Sequence, residues 1–175
     1  MDLFEAIEKR YSYRGRFTNE PVSEDDLRKI VQAGLDAPTG KNMQTTEFVI
    51  VNDEEKVKEI RNILPDKMAV ATGKAYIACI VDKEPEIVFG THHFQIEDCA
   101  AAVENMLLAI TALGYTSVWL DGVLRTNNTA EKFAEIIKCP KSKKVQIVLP
   151  VGKPEKEGPR KEKKKFSERV KMNSY

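Results

Sequence analysis

With 175 residues, 42% of them hydrophobic and 31% charged, the chain has the size and balance of one globular domain. Such a chain builds a core without disulfide or metal staples. A net charge of +1 gives the whole molecule no electrostatic pull toward nucleic acid or an anionic membrane. Cys79, Cys99 and Cys139 form no C-x-x-C pair, and scattered cysteines suit a reducing compartment. No basic-plus-apolar leader follows Met1, and no apolar run approaches the roughly 20 residues that cross a bilayer. The expectation is a cytoplasmic protein that does not span a membrane.

In chain order, Asp2 can cap a first helix whose inner face carries Leu3, Ile7 and either Phe4 or Ala6. A polar, basic stretch runs from Arg10 to Thr18. Ser23, with Asp26 three residues on, resembles a capping box, and Leu27, Ile30, Val31, Gly34 and Leu35 follow at helical spacing. That helix must end before Ala37-Pro38, because a residue preceding proline avoids the helical region. Glu47–Asn52 is β-rich and predicts a strand. Asp53 opens a third helix bearing Val57, Ile60 and Ile63, and the apolar run Ala75–Val81 predicts a buried strand. The longest helix spans about Ile96 to Leu113 and stops at Gly114, a residue suited to the left-handed C′ position. Its apolar residues fall on several sides, which places it centrally. Ser117–Leu120 predicts a further strand, Thr129–Ile137 a helix, and Val145–Val151 the last strand. About four strands and five helices in mixed order predict an α/β or α+β sandwich. From Lys153 the composition changes to nine Lys/Arg and four Glu. The division is therefore a domain over 1–152 and a basic arm over 153–175.

Several common chemistries find no support. No G-x-G occurs, so the dinucleotide fingerprint is missing. Gly34 and Gly40-Lys41 are one residue too far apart for a phosphate-binding P-loop, and Asn42 stands where a magnesium-holding hydroxyl belongs. His92-His93, followed by Glu97, Asp98 and Cys99, matches no zinc spacing and reads as a polar loop. No Ser, Cys or Lys sits in a nucleophile motif. An enzyme of this sequence would borrow its chemistry from a cofactor. The tail's interspersed glutamates and the lack of aromatics interleaved with its lysines argue against a nucleic-acid partner.

Two clusters point to an anionic cofactor. In Arg10-Tyr11-Ser12-Tyr13-Arg14 an extended backbone would project Arg10, Ser12 and Arg14 to one side. Two guanidinium forks and a hydroxyl suit a phosphate and nearby polar oxygens; a solvated basic segment has the same composition. In Ala37-Pro38-Thr39-Gly40-Lys41-Asn42-Met43-Gln44, small residues permit close approach to a flat ligand, and Asn42 and Gln44 offer donor and acceptor to a ring edge. An ordinary helix-to-strand loop uses the same residues.

Taken in order, these clusters resemble the nitroreductase family. So do the strand Phe48–Val51, the helix from Asp98-Cys99-Ala100-Ala101-Ala102 to Leu113-Gly114, the segment Trp119-Leu120-Asp121-Gly122 and the run Val151-Gly152-Lys153-Pro154. The resemblance implies a three-layer α/β/α sandwich of the α+β class, with a mostly antiparallel sheet and a C-terminal extension. It implies FMN as cofactor, NADH or NADPH as reductant, and a homodimer with FMN at the subunit interface. By the same resemblance, Arg10 and Ser12 serve the phosphate and ribityl oxygens, Tyr11 lines the cofactor pocket, and Arg14 serves the flavin N1/O2 edge. Pro38, Thr39, Gly40, Asn42 and Gln44 come from the other subunit, and Leu120, Asp121 and Gly122 lie near N5. Lys163 and Lys165 are chosen for the phosphate, with Arg160, Lys161 and Lys164 competing. The implied activity is ping-pong hydride transfer to a small acceptor such as a nitroaromatic, a quinone or free flavin. The alternatives are a flavin-binding redox sensor or storage protein without turnover, and another reaction on the same fold. Two departures bear on the substrate: Gln44 is followed by Thr45-Thr46 where a bulky Pro-Trp is usual, and the chain is short.

Overall fold

The apolar run at Ala75–Val81 becomes the centre of the molecule, and a computed structural model covering residues 1–175 shows why. The four strands are β1 (Glu47–Val51), β2 (Ala75–Asp82), β3 (Thr116–Ser117) and β4 (Lys143–Gly152). They form one sheet in the order β1-β2-β4-β3, with every ladder antiparallel. β2 is interior and both its faces are covered, so it reads as continuous apolar sequence rather than as an alternation. A register shift between Cys79 and Ile80 marks a bulge against β4.

The helices are α1 (Leu3–Lys9), α2 (Glu24–Leu35), α3 (Glu54–Ile63), α4 (Met68–Ala71), α5 (Gln95–Ala112), α6 (Thr129–Ile136) and α7 (Phe166–Arg169). One face of the sheet, with Ala75, Ile77 and Cys79 of β2, packs on Leu27 and Ile30 of α2 and on Val103, Met106 and Ile110 of α5. The opposite face, with Tyr76, Ala78 and Ile80, packs on Val57 and Ile60 of α3 and Phe133 of α6. The result is the α+β, three-layer α/β/α sandwich with an antiparallel sheet. None of its helices is long and apolar enough to cross a membrane.

Local signals hold in detail. Asp2, Ser23 and Asp53 each accept a hydrogen bond from the amide three residues on, at 2.9, 3.1 and 3.0 Å. The capping box at Ser23 is only half made, because Asp26 Oδ2 instead accepts the Tyr115 hydroxyl at 3.0 Å. Gly114 takes φ +81° after α5.

Three expectations change. The strand expected over Ser117–Leu120 is interrupted: Thr116 and Ser117 pair with Gly152 and Val151 of β4, and Leu120 pairs with Val148 of β4 in the same register as an isolated bridge, with the ladder broken at Val118 and Trp119. Two one-turn helices, α4 and α7, are too short to impose a period on the sequence. On α1 only Ala6 is buried, while Leu3, Phe4 and Ile7 are exposed in the protomer. Their face is apolar without having a core of its own to pack on.

Candidate functional site

Residues 10–14 run along the edge of the sheet and the chain bends at Gly15. Ser12 bridges Ser117, and the Tyr13 amide donates to the Ser117 carbonyl at 2.8 Å. Alternation then buries Tyr13 and leaves Ser12 and Arg14 exposed. The basic arm returns along the same segment. Thr18 N–H donates to the Lys153 carbonyl at 2.9 Å, Glu155 N–H to the Arg16 carbonyl at 2.9 Å, and Gly158 N–H to the Tyr11 hydroxyl at 3.1 Å. Arg160 donates to the Glu8 carbonyl at 3.0 Å and lies 5.8 Å from the Tyr11 ring centroid. The two ends of the chain are thereby brought side by side.

Between them is a cavity of about 590 Å³ walled by Arg10, Tyr11, Ser12, Arg14, Arg160, Lys161 and Lys163, with Glu8 and Glu104 as its acids. Arg10 Nε contacts Glu104 Oε1 at 3.2 Å, so one cation of the cluster is shared with a carboxylate. A second cavity of about 350 Å³ is lined by Arg14, Lys67, Met68, Ala69, Val118, Trp119, Leu120, Asp121 and Gly122. Both volumes lie in the roughly 300–1,000 Å³ range of small-molecule sites. Arg14 lines both. The floor of the second is firm: Ala69 and Val118 are buried in one cluster with Tyr13 and Phe17. Asp121 is held by Arg125, whose Nε and Nη2 donate to its two carboxylate oxygens at 2.7 and 3.0 Å.

Of the residues singled out in the sequence, Arg10, Tyr11, Ser12, Arg14 and Lys163 meet at the first cavity, and Arg14, Leu120, Asp121 and Gly122 at the second. Lys165 lines neither; its N–H donates to Glu168 Oε2 at 2.8 Å and starts α7. Pro38, Thr39, Gly40, Asn42 and Gln44 also line neither cavity of their own protomer. Their loop closes as a tight turn with Lys41, Asn42 and Gln44 at φ 49°, 58° and 51°. Asp98, buried on α5, fixes it: Gly40 N–H donates to Asp98 Oδ1 at 2.9 Å and the Thr45 hydroxyl to Oδ2 at 3.2 Å.

Sequence reasoning missed Lys67, Met68 and Ala69, because the stretch between α3 and β2 shows no motif. The small apolar run Met68-Ala69-Val70-Ala71 before Gly73 is the signal that was there to read. Glu104 carries no signal in the sequence either, being a single acid on the long helix.

A model described as the nitroreductase family matches residues 7–153 of this chain. A protein of Archaeoglobus fulgidus with the provisional name NADH dehydrogenase/NAD(P)H nitroreductase is 30% identical over 141 residues, which is 81% of this chain and 79% of that protein. A similarly named structure from Bacteroides thetaiotaomicron superposes with a TM-score of 0.82 at 25% identity, covering 99% of this chain and 98% of that one. An FMN-dependent nitroreductase from Clostridium difficile superposes with a TM-score of 0.80 at 24% identity, covering 98% and 99%.

Proposed function

This chain belongs to the nitroreductase family, and from that premise we propose that it is an FMN-dependent NAD(P)H oxidoreductase. The observation that carries the reading is Arg14, the side chain that joins a cation-lined cavity to an apolar-floored one. A molecule with a phosphate at one end and a flat ring at the other fits that pairing of charge and floor. The name of the Clostridium difficile relative supports the same cofactor.

When bound, FMN supplies hydride chemistry: reduction by NADH or NADPH, then oxidation by a nitroaromatic, quinone or similar small acceptor in a ping-pong cycle. The protein's part is binding, orientation and charge. Arg10, Ser12 and Lys163 hold the phosphate and nearby oxygens, with Arg160 and Lys161 beside them. Arg14 supplies positive charge for the ring edge on which negative charge accumulates. Ala69, Val118 and Leu120 give the ring an apolar bed and keep water from that side. No side chain is needed as nucleophile. An absorbance spectrum of FMN-supplemented protein, before and after anaerobic NADH or NADPH, tests the reading. A flavin band that bleaches supports it; a band that binds and never bleaches favours the sensor or storage protein, and no band at all sinks both.

The functional unit we propose is a cytoplasmic homodimer in which the Pro38–Gln44 loop of one subunit reaches the FMN of the other. Support comes from uncovered apolar groups at both ends of the chain: Leu3, Phe4 and Ile7 on α1, and Phe166, Val170, Met172 and Tyr175 in the arm.

Two consequences follow from named contacts. Glu104 competes with the phosphate for Arg10, so Glu104→Gln is expected to tighten FMN binding by roughly threefold, the scale of a partly exposed ion pair. A fluorescence titration showing weaker binding would overturn that assignment. Asp98→Ala leaves the Gly40 amide and Thr45 hydroxyl without their acceptor, a cost of about 1–3 kcal/mol. Amide exchange over residues 39–46 should accelerate and FMN retention should fall, whereas Asp98→Asn, which still accepts from Gly40, should keep most of both. Unchanged exchange in Asp98→Ala would show that the loop holds its shape unaided.

A further inference from the structure

On the other side of α4 from the ring-sized cavity lies a second concentration of positive charge that the flavin reading leaves unused. It is a crevice of about 280 Å³ walled by Arg16, Arg61, Lys74, Thr18, Asn19 and Glu155, with Ala71 and Thr72 closing it beneath. We infer that this crevice is a binding site for a phosphate-class dianion, held by Arg16, Arg61 and Lys74.

Three observations carry the inference. The cations are fixed in place by neutral groups only. Arg61 donates through Nε and Nη2 to the Gly73 carbonyl at 3.1 and 2.7 Å, which aims its fork and leaves Nη1 unused. Lys74 Nζ donates to Asn19 Oδ1 at 3.0 Å, and Arg16 Nη2 has only the Met68 sulfur at 3.7 Å. None of the three forms an ion pair, in a protein that pairs nine other cation–carboxylate couples. The single acid, Glu155, is exposed, and what it gives this segment is its backbone N–H, donated to the Arg16 carbonyl. The walls thus carry three positive charges against one negative.

Lys74 shows the cost of that arrangement. Burial first, and the Arg61 charge second, push its ammonium below the ordinary lysine range. Two like charges held together against desolvation are unfavourable until an anion arrives. Arg61 also offers a planar fork, and Thr18 and Asn19 add neutral donors around it, the set that suits a tetrahedral oxyanion.

Position narrows the source of the anion. Met68–Val70 of α4 line the ring-sized cavity, and Ala71 and Thr72 line the crevice. The two are therefore separated by one helical turn, about 10–12 Å across with its side chains. A dinucleotide with its nicotinamide stacked on the flavin at the ring-sized cavity can bridge that turn. The 2′-phosphate of NADPH and free inorganic phosphate share the chemistry; the first source rests on the function proposed above, the second does not.

The test uses the FMN-loaded protein, so that the flavin phosphate keeps its own site filled, and inorganic phosphate as the probe. Phosphorus NMR titration should show saturable binding, weakened about tenfold or more in Lys74→Met and in Arg16→Gln, since each loses a charge-assisted contact. Thermal melting in the absence of phosphate checks that both variants fold. Steady-state kinetics separates the sources. A KM for NADPH raised about tenfold in Lys74→Met, with the NADH value unchanged, identifies the reductant's phosphate; equal effects on both identify free phosphate. Wild-type protein that takes up no phosphate, or folded variants that bind it equally well, overturn the site. The flavin spectrum is independent of this result, so loss of the crevice and loss of the flavin assignment are told apart.

Discussion

Arg10→Met is expected to loosen FMN by about 10–100-fold, and Arg14→Met to do so while also lowering the flavin's midpoint potential. The first figure follows from a charge-assisted hydrogen bond to phosphate, worth about 1.5–3 kcal/mol, at 1.4 kcal/mol per tenfold in affinity. Arg10 also carries Glu104 at 3.2 Å, so its loss leaves that carboxylate facing the phosphate without a counter-charge. Methionine keeps much of the apolar stem, which limits the change to charge and hydrogen bonding. The two arginines part company over the potential. Arg10 meets a phosphate whose charge is the same in both redox states, so Arg10→Met weakens oxidised and reduced FMN alike. Arg14 lines the ring-sized cavity as well, where charge appears only on reduction. Each tenfold by which Arg14→Met weakens reduced FMN beyond oxidised FMN lowers a two-electron potential by about 30 mV. Fluorescence titration and equilibration against a redox dye measure the two quantities. A potential unmoved in Arg14→Met would place that guanidinium away from the ring and reduce it to a second phosphate ligand.

The elements of this fold were legible because their signals are local. Asp2, Ser23 and Asp53 sit at helix starts and use their side chains there, and Gly114 takes the positive φ that follows the end of α5. The double-sided burial of β2 writes itself as seven apolar residues in a row. Strand order is different in kind, since Lys143–Gly152 reaches the sheet's interior through contacts across more than sixty positions of sequence, and nothing local encodes them. The same contrast runs through the site. The Arg10–Arg14 cluster was readable from alternation, but its junction with the arm depends on Gly158 meeting Tyr11, and the choice among the arm's cations depends on where that contact leaves them. Arg160, Lys161 and Lys163 face the cavity, while Lys165, two residues further on, starts a helical turn instead. Ser117–Leu120 was only partly legible for a related reason. Its residues favour a strand and both ends pair with β4, but the ladder breaks between them, where Pro150 of β4 has no N–H to donate, and the turn after Leu120 brings Asp121 and Gly122 to the cavity. α1 presents the reverse case, an apolar face legible as sequence that the protomer leaves exposed.

Gly152→Val should cost about 3 kcal/mol and weaken flavin retention together, although residue 152 lines neither cavity. A Cβ at Gly152 would stand 2.8 Å from Phe17 Cγ, 2.9 Å from Cδ1 and 3.1 Å from Cβ. Those atoms are the root of a buried ring, so no rotation of a side-chain tip relieves the clash. Phe17 is held from three directions. Its N–H donates to Thr72 Oγ1 at 3.0 Å, its ring lies 5.2 Å from that of Tyr13, and it shares a cluster with Ala69 and Val118. Ala69 and Val118 are the bed proposed for the flavin ring, and Tyr13 lies between Ser12 and Arg14. Strain introduced at the end of β4 therefore emerges at the cofactor. For a chain of this size about 3 kcal/mol lowers the melting temperature by roughly 6–12 °C. Gly34→Ala is the control. Its Cβ would come as close, 2.9 Å from Met106 Cγ and 3.1 Å from the sulfur, but those atoms belong to a flexible, unbranched side chain that can move aside. Melting curves and FMN titration should find Gly34→Ala close to wild type in cofactor affinity and Gly152→Val impaired in both measurements. A Gly152→Val protein that melts normally would show Phe17 free to move. One that is destabilised yet binds FMN fully would show the cluster of Tyr13, Phe17, Ala69 and Val118 to be a support for the fold and not for the site.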